Sequence, residues 1–415
     1  MTLSSQPATV PASGPWWGSA AHDAYLRADA ERQFAFFAKS LDPKGGFHAQ
    51  DMDGNPIQGA ARELHATTRM VHSFALAHQL GIQGADRMVD HGMQALWALH
   101  RDPQHGGYIW SFTEGGGVAD GQKLAYGHSF VLLAASSAKI IGHPDADRLI
   151  ADISEIIDVH FWDHDHGRMK EEYARDWSEI SSYRGMNANM HSVEALMAAF
   201  EATGEQIYLA RAQMILDFFV GKAGAENNWR LPEHFNAQWQ VDLDYEGNPM
   251  FRPRGSTPGH AMEFARLLLQ AWELSGRTET RFTEWSAKLY ERALADGWDH
   301  QRGGGLVYTT DGQGKVLRDA RYWWPVTEAI GAAAAQLKAH PTEKLQADYL
   351  MFWQAAEALF IDAARGGWYP EVGDDNRPDG RQFIGKPDIY HAIQGVLYPL
   401  LPGLAHPVRD MAKLA

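Results

Sequence analysis

Six long stretches of the chain are apolar on nearly every helical face. They begin near residues 61, 122, 185, 256, 321 and 386, and two of them read ARELHATTRMVHSFALAHQLG and STPGHAMEFARLLLQAWELSG. Helices that are hydrophobic all round are buried. Between them lie amphipathic stretches such as RAQMILDFFVGKA and FTEWSAKLYERALADG, which predict helices with one charged face in solvent. The pattern therefore predicts twelve helices that alternate between buried and half-exposed.

A glycine-rich turn precedes most of the buried helices. It reads DPKGGFHAQ, DPQHGGYIW, DHDHGRMKE, DHQRGGGLVY and AARGGWYPE, with glycines at 45, 106, 167, 303 and 366. Adjoining turns lie about 60 residues apart, and such a fixed period is the mark of a repeat architecture. The longer gap after residue 167 has room for one more unit, which ENNWRLPEHF fills without the glycines.

Six helix pairs in two concentric rings form an (α/α)6 barrel, an all-α fold with short hairpin-like loops at one rim. Residues 1–20, rich in Ser, Pro and Ala, are predicted to be a flexible tail. Residues 21–415 are predicted to form a single barrel, the catalytic domain.

Composition and charge exclude several classes of partner and chemistry. The net charge of -15 argues against binding to a nucleic-acid backbone. With no cysteine, disulfides, thiolate metal sites and a cysteine nucleophile are excluded. The first 20 residues have no basic start or apolar run, and no apolar stretch is long enough for a membrane span. We therefore expect a cytoplasmic protein without a membrane partner, and a homo-oligomer is compatible with this sequence.

Polar residues occupy the first two turns of all six buried helices, whose N-terminal ends meet at one mouth in such a barrel. They are His65 and Arg69; Tyr126 and His128; Asn187, His191 and Glu194; His260 and Glu263; Trp324 and Glu328; and Asp388, Tyr390 and His391. Burying such groups is costly unless they pair or act in function. A set of this size from six separate segments predicts a functional pocket.

The pattern His-x-x-Glu occurs twice, in HSVE (191–194) and HAME (260–263). Residues three apart share one face of a helix, so a metal site is one interpretation. However, HExxH is absent, and the di-iron pattern runs in the opposite order. The other interpretation is acid–base catalysis, because a helix N-terminus favours a neutral imidazole and a glutamate can orient its ring. We favour this second interpretation, which requires neither metal nor cofactor.

Several stretches, taken together and in order, resemble the N-acylglucosamine 2-epimerase superfamily. They are TRMVHSFAL, NANMHSVEA, NWRLPEHFNAQW, FRPRGSTPGHAMEFARLLL, WWPVTEAIGA and GKPDIYHAIQ, and GKPDIYHAIQ favours the branch of mannose and sulfoquinovose isomerases. The resemblance implies an (α/α)6 barrel that converts an unphosphorylated monosaccharide between aldose and ketose. It also implies a cis-enediol intermediate and no metal or nucleotide.

The resemblance also implies roles for individual residues. His260, supported by Glu263, is expected to move the proton between C1 and C2, and His391 to open the sugar ring. His191 completes the expected catalytic set. The expected substrate-binding residues are Arg69, Tyr126, Asn187, Glu194, Arg252, Trp324, Glu328 and Asp388.

The substrate stays open between mannose and sulfoquinovose. Mannose-type members of the family carry FRPYG where this chain has FRPRG, so Arg254 adds a charge near the expected pocket. Candidate partners for a sulfonate are Arg69, Arg252, Arg254 and Lys386. Two other enzymes remain alternatives: a sugar 2-epimerase, which returns the proton to C2, and an (α/α)6 glycoside hydrolase, which uses paired acids. A non-catalytic sugar-binding protein is the third.

Overall fold

The structure is a computed structural model that describes residues 9–415. Its α-helices in chain order are α1 (Ala20–Phe37), α2 (Leu64–Gln79), α3 (Ala85–Ala95), α4 (Ala125–Ile140), α5 (Ala146–Ile156), α6 (Met186–Thr203), α7 (Gln206–Leu216), α8 (Pro258–Leu274), α9 (Arg281–Gly297), α10 (Trp323–Ala339), α11 (Glu343–Leu359), α12 (Tyr390–Leu397) and α13 (Pro407–Met411). Three outer helices continue into π-helical turns, Leu96–His100, Ile157–Phe161 and Asp217–Gly224.

The even-numbered helices from α2 to α12 form a closed inner ring. Each packs on the next, and α12 packs on both α10 and α2. The helices α1, α3, α5, α7, α9 and α11 lie outside, each mainly against one inner partner. Burial follows this order, since every residue of α10 from Trp323 to Leu337 is buried, whereas α9 buries a single stripe. The predicted (α/α)6 barrel is confirmed.

Short antiparallel strands line the rim at the N-terminal ends of the inner helices. They are β1 (Arg62–Glu63), β2 (Ser111–Phe112), β3 (Val118–Asp120), β4 (Lys123–Leu124), β5 (Trp162–Asp163), β6 (Arg168–Met169), β7 (Glu172–Tyr173), β8 (Arg184–Gly185), β9 (His234–Phe235), β10 (Val307–Thr310), β11 (Val316–Tyr322) and β12 (Glu371–Val372). They form the sheets β1-β2-β3 and β10-β11-β12 and the pairs β4-β7, β5-β6 and β8-β9.

A repeated backbone hydrogen bond ties the start of each inner helix to the following unit. An N–H at the helix start donates to a carbonyl in the next unit: Leu64 to Trp110, Ala125 to Glu171, Met186 to Glu233, Ser256 to Thr310, Trp323 to Pro370 and Lys386 to Gln50, at 2.7–3.1 Å. The last of these joins the sixth unit back to the first. Strand pairing therefore closes the ring at the mouth, as helix packing closes it below.

Local chemistry explains where these elements begin and turn. Pro258 opens α8 at a position where its missing N–H costs nothing, and Thr257 precedes it in the extended N-cap conformation. In the fourth unit, Asn228 and Trp229 adopt φ values of 54° and 64°, where the second unit has Gly106 and Gly107 at 71° and 67°. ENNWRLPEHF thus forms the repeated turn with left-handed residues in place of glycine.

The predicted flexible tail, residues 1–20, is only partly covered by the structure. Residues 1–8 lie outside the described residues. Beyond them the segment packs on α11: the Val10 N–H donates to Glu357 at 3.3 Å, and the Gln354 side chain donates to the Pro11 carbonyl at 2.8 Å. Trp16 is buried with its ring edge-on to Trp353. The stretch from Val10 to Trp16 is therefore anchored on α11 by hydrogen bonds and an aromatic contact, which its content of Ser, Pro and Ala does not predict.

No helix within residues 9–415 combines the length and the hydropathy needed to cross a membrane.

Candidate active site

Two histidines at the mouth are each held by a buried glutamate. His260, in the first turn of α8, donates from Nδ1 to Glu233, whose two carboxylate oxygens both lie at 3.0 Å. His391, at the start of α12, donates from Nδ1 to Oε1 of Glu328 at 2.8 Å. A carboxylate can only accept, so each ring carries its hydrogen on Nδ1. Nε2 of each ring is left without a hydrogen-bond partner among residues 9–415.

The indole of Trp324 forms a wall shared by both histidines. Its ring centroid lies 5.0 Å from that of His260 and 5.8 Å from that of His391. Trp324 comes from the first turn of α10 and is 8% exposed. An aromatic face between two bases offers a stacking surface for the apolar side of a sugar ring.

Arg266 lies below the histidines, among three buried carboxylates. Its guanidinium nitrogens are 3.3 Å from Glu328, 3.7 Å from Glu194 and 3.8 Å from Glu263. One positive charge thus faces three acidic groups. Glu263 is fully buried, and neither of its oxygens has a hydrogen-bond partner in the described chain. Burial and the neighbouring Glu328 raise the pKa of Glu263 well above its ordinary value, which favours the protonated form of this carboxyl.

Glu263 was the predicted partner of His260, and the structure gives that position to Glu233. Although His260 and Glu263 are three residues apart on α8, the closest histidine nitrogen to Glu263 is Nδ1 of His191, at 3.6 Å. Glu233 reaches His260 from the loop before β9, which a search for spacing within one helix cannot detect.

Burial sets the charge state of the inner histidines. It lowers the pKa of His391, although Glu328 acts in the opposite direction. Burial and the nearby Arg69 lower the pKa of His191 well below its usual value. Both rings are therefore neutral at physiological pH and able to accept a proton. The main cause is burial, whereas the helix dipole was the predicted one.

Two groups of acidic and histidine side chains have ligand atoms close enough for a metal ion. They are His191, Glu194 and Glu263, and Glu263, Glu328 and His391. Arg266 contacts all three of these carboxylates and already supplies a positive charge among them. The donor set is therefore a poor fit for a metal, because a cation there would face a guanidinium within the same shell.

Arg69, on α2, is fixed beside the start of α12. It donates to Asp388 at 2.7 Å and to the Tyr126 hydroxyl at 2.7 Å. Its guanidinium also stacks on Phe130 and Tyr390, 4.5 and 4.7 Å from the ring centroids. These contacts hold the planar fork in one orientation toward the pocket. Asn187, at the start of α6, has a buried Oδ1 with no partner among the described residues.

Glu194 belongs to the floor of the site. It accepts hydrogen bonds from the Tyr390 hydroxyl and from Gln394, the latter at 3.0 Å. Its contact with Arg266 completes its partners, so it supports the pocket from below.

Two mouth candidates have structural partners. His128 points away from the pocket: its Nδ1 donates to the Leu124 carbonyl at 2.8 Å and its Nε2 accepts from the Tyr108 N–H at 3.0 Å. His65 stacks on Trp110 with ring centroids 5.0 Å apart. The sequence identifies the first turns correctly but not the rotation of each helix, which decides the side that faces the axis.

The rim cations are paired with acidic groups. Arg252 binds Glu172 through two nitrogens and stacks on Tyr183. Arg254 is exposed and pairs with Asp244 at 2.9 Å and Glu246 at 3.5 Å. Arg254, which stands where FRPYG has tyrosine, therefore places its charge in solvent.

Lys386 is a structural cation of the repeated turn. Its Nζ donates to Asp362 at 2.8 Å and to the Gly366 carbonyl at 2.7 Å. Lys123 binds Asp102 and the Gly106 carbonyl in the same way, two residues before α4. Comparison of the repeats would have revealed this role of Lys386 from the sequence.

Replacing Glu263 by glutamine tests the proton on this buried carboxyl. The pKa of Glu263 in the folded state lies above its ordinary value of 4.5, which applies to the unfolded state. The stability that this proton contributes is therefore fully present below pH 4.5 and is lost as the pH rises through the folded-state pKa. Glu263→Gln keeps the shape but cannot ionise. We expect unchanged stability at pH 5 and higher stability than the parent at pH 9, measured by urea unfolding. Exposed Glu246→Gln is the control, and an equal shift at both pH values would contradict the assignment.

Comparisons with known proteins identify the family of this chain. A family model described as N-acylglucosamine 2-epimerase (GlcNAc 2-epimerase) matches residues 45–395. The chain belongs to this family. A D-mannose isomerase from Thermobifida fusca is 39% identical over 391 residues, which cover 93% of this chain and 96% of the relative.

Solved structures extend this family assignment. A crystal structure of D-mannose isomerase has a TM-score of 0.86 and 33% identity, covering 94% of this chain and 99% of the other. Cellobiose 2-epimerase from Bacillus thermoamylovorans has a TM-score of 0.81 at 22% identity, covering 90% and 97%, a level that shows the common fold. The predicted enzyme class, an aldose–ketose isomerase and thus an intramolecular oxidoreductase, is confirmed by these family relatives.

Proposed function

We propose that this protein interconverts D-mannose and D-fructose by proton transfer through a cis-enediol, without a metal or an organic cofactor. The observation that carries the proposal is the pair of histidines whose Nδ1 atoms are held by buried glutamates and whose Nε2 atoms are free beside Trp324. The name of the Thermobifida fusca relative supports the choice of mannose.

The reaction begins with ring opening. His391, neutral because of its burial, accepts the proton of the anomeric hydroxyl at Nε2, the bond between C1 and the ring oxygen breaks, and His391 returns the proton to that oxygen, which gives the open-chain aldose. Glu328 stabilises the positive charge that develops on this ring.

Isomerisation follows at C1 and C2. Nε2 of His260 removes the C2 proton, the electron pair forms the C1–C2 double bond, the C1 carbonyl electrons move to O1, and O1 takes up a proton from water to give the enediol. His260 then delivers its proton to C1 as the O2 hydroxyl returns a proton to water and the C2 carbonyl forms. Arg69, fixed by Asp388 and Tyr126, stabilises the oxygen that carries negative charge between these steps.

The charges around the mouth favour an uncharged hexose over a sulfonated one. Each candidate cation already has a carboxylate: Arg69 with Asp388, Arg252 with Glu172, Arg254 with Asp244 and Lys386 with Asp362. A sulfonate would have to compete with these pairs, whereas hydroxyl groups can bind beside them. Sulfoquinovose remains the second substrate to test.

The experiment incubates the enzyme in deuterated water with D-mannose, D-glucose, D-fructose, N-acetylmannosamine or sulfoquinovose, and follows products by NMR. We expect fructose from mannose, with deuterium at C1 of the ketose and at C2 of the aldose formed in reverse. His164→Gln, on an exposed turn, is the control variant.

Other outcomes separate the alternatives. An epimer of the substrate without ketose would identify a 2-epimerase. Conversion of sulfoquinovose alone would overturn the argument from paired cations. Binding without turnover of any of these sugars, in protein folded by circular dichroism, would refute the isomerase and indicate a sugar-binding protein. A glycoside hydrolase is disfavoured, because the three buried carboxylates near the pocket surround Arg266 and do not flank a water-accessible cleft.

A further inference from the structure

We propose that Glu233 is a positioning residue that sets the tautomer of His260 and thereby makes Nε2 the nitrogen that transfers the proton. This inference rests on the proposed function for its kinetic part only. Glu233 does not touch the expected substrate position, since it reaches His260 from the side of Nδ1.

Glu233 is fixed through both its carboxylate and its backbone carbonyl. Both oxygens lie 3.0 Å from Nδ1 of His260, and Oε1 also accepts the Thr257 N–H at 3.1 Å. Its backbone carbonyl accepts the Met186 N–H at the start of α6. The residue is 5% exposed, so water does not compete for these contacts. Glu233 thus contacts the start of α6 through its backbone and the start of α8 through its side chain, and the same side chain orients the imidazole of His260.

The Thr257 contact fixes the orientation that an amide would take in place of the Glu233 carboxylate. The Thr257 N–H can only donate, so it must face an acceptor. In Glu233→Gln the amide oxygen is the only acceptor available for it. The amide nitrogen then replaces Oε2 at 3.0 Å from Nδ1 of His260, while the amide oxygen stays at 3.0 Å from the same nitrogen. Nδ1 therefore faces one donor and one acceptor, and its hydrogen is no longer favoured over a hydrogen on Nε2. The variant keeps its size and its helix contacts but presents a donor in place of one carboxylate oxygen.

The preceding unit supplies a matched control. Glu171 occupies the equivalent place, because its carbonyl accepts the Ala125 N–H at the start of α4, as the Glu233 carbonyl accepts that of Met186. Its carboxylate lies 3.6 Å from Arg252, and no histidine pairs with it in the part of the chain that the structure describes. Glu171→Gln removes a buried rim carboxylate of the same kind without touching a base.

The experiment reads the tautomer directly. Nitrogen-15 NMR of the histidine side chains is recorded without substrate for the parent and for Glu233→Gln, Glu233→Asp and Glu171→Gln, with His260→Gln assigning the His260 signals. We expect the hydrogen on Nδ1 in the parent, in Glu233→Asp and in Glu171→Gln, and a mixture of the Nδ1 and Nε2 tautomers in Glu233→Gln.

Kinetics with D-mannose supply the second measurement. We expect Glu233→Gln to lower kcat by about 100-fold while KM changes less than about threefold, since the partner of a catalytic group is lost and the pocket surface is kept. Glu233→Asp keeps a carboxylate and is expected to retain more than about a tenth of the parent kcat. Glu171→Gln should keep kcat within about threefold of the parent.

Three results would overturn the proposal: a parent His260 with its hydrogen on Nε2, an unchanged tautomer in folded Glu233→Gln, or an equal loss of kcat in Glu171→Gln. If Glu233→Gln does not fold, the parent and Glu233→Asp spectra decide, because both must show the Nδ1 hydrogen. If Glu233→Gln changes the tautomer of His260 but the parent protein converts no sugar, the proposed function is refuted and the positioning role of Glu233 stands.

Discussion

Glutamine in place of His260 is expected to lower kcat for D-mannose by about a thousandfold, and the same replacement of His391 should have a similar effect. The physical reason is the loss of the free Nε2 lone pair in each dyad, since glutamine offers no group that accepts and returns a proton at neutral pH. The measurement is initial-rate formation of fructose, with His164→Gln as a surface control.

The two variants should differ with a sugar that cannot form a ring. D-Glyceraldehyde has too few carbons to cyclise, so its isomerisation to dihydroxyacetone bypasses ring opening. We expect His391→Gln to retain most of the parent activity on it and His260→Gln to lose it. The reverse pattern would exchange the two roles, and near-parent activity of either variant on mannose would refute the role assigned to that residue.

Arg266→Met is expected to destabilise the folded protein by about 3–5 kcal/mol, because it leaves the buried Glu194 and Glu328 without their counter-charge. The guanidinium contacts Glu194, Glu263 and Glu328, all of which are buried. Methionine fills a similar volume, so the loss reports charge more than packing. Urea unfolding followed by circular dichroism measures the change.

The control for this prediction is Arg254→Met. Arg254 also pairs with two acidic residues, but it does so in solvent, where such pairs contribute about 0–1 kcal/mol. A destabilisation of Arg266→Met no larger than that of the control would show that the three glutamates are protonated or hydrated in its absence.

The sequence was sufficient to predict the barrel because each unit carries its own turn and its own all-apolar helix. The one unit without glycines was still recognisable, since Asn228 and Trp229 adopt the same left-handed backbone. Boundaries were less certain. The last inner helix was expected near residue 386, but α12 begins at Tyr390, because Asp388 accepts the Tyr390 N–H and leads the chain into the helix.

The site was predictable as a set of first turns, and its pairings were not. His260, His391 and Trp324 do meet, because all inner helices start at one rim. The partner of His260 comes from a loop, and Arg266 lies one turn below the mouth residues, so neither Glu233 nor Arg266 shares a recognisable spacing with the histidines. Which carboxylate binds which imidazole depends on the rotation of each helix and on the position of each residue along the barrel axis. The spacing of apolar residues does not determine that rotation when every face of the helix is apolar.

The hydrogen bond from Lys386 to Gln50 has a consequence for how this barrel loses its structure. In open stacks of helical repeats, the outermost repeats have one neighbour each and fray first, which is why such proteins carry special capping repeats. Here every unit has two neighbours, and unfolding any one of them breaks contacts on both sides. Hydrogen exchange in the six inner helices should therefore proceed through a common opening, with no gradient from the first unit to the sixth.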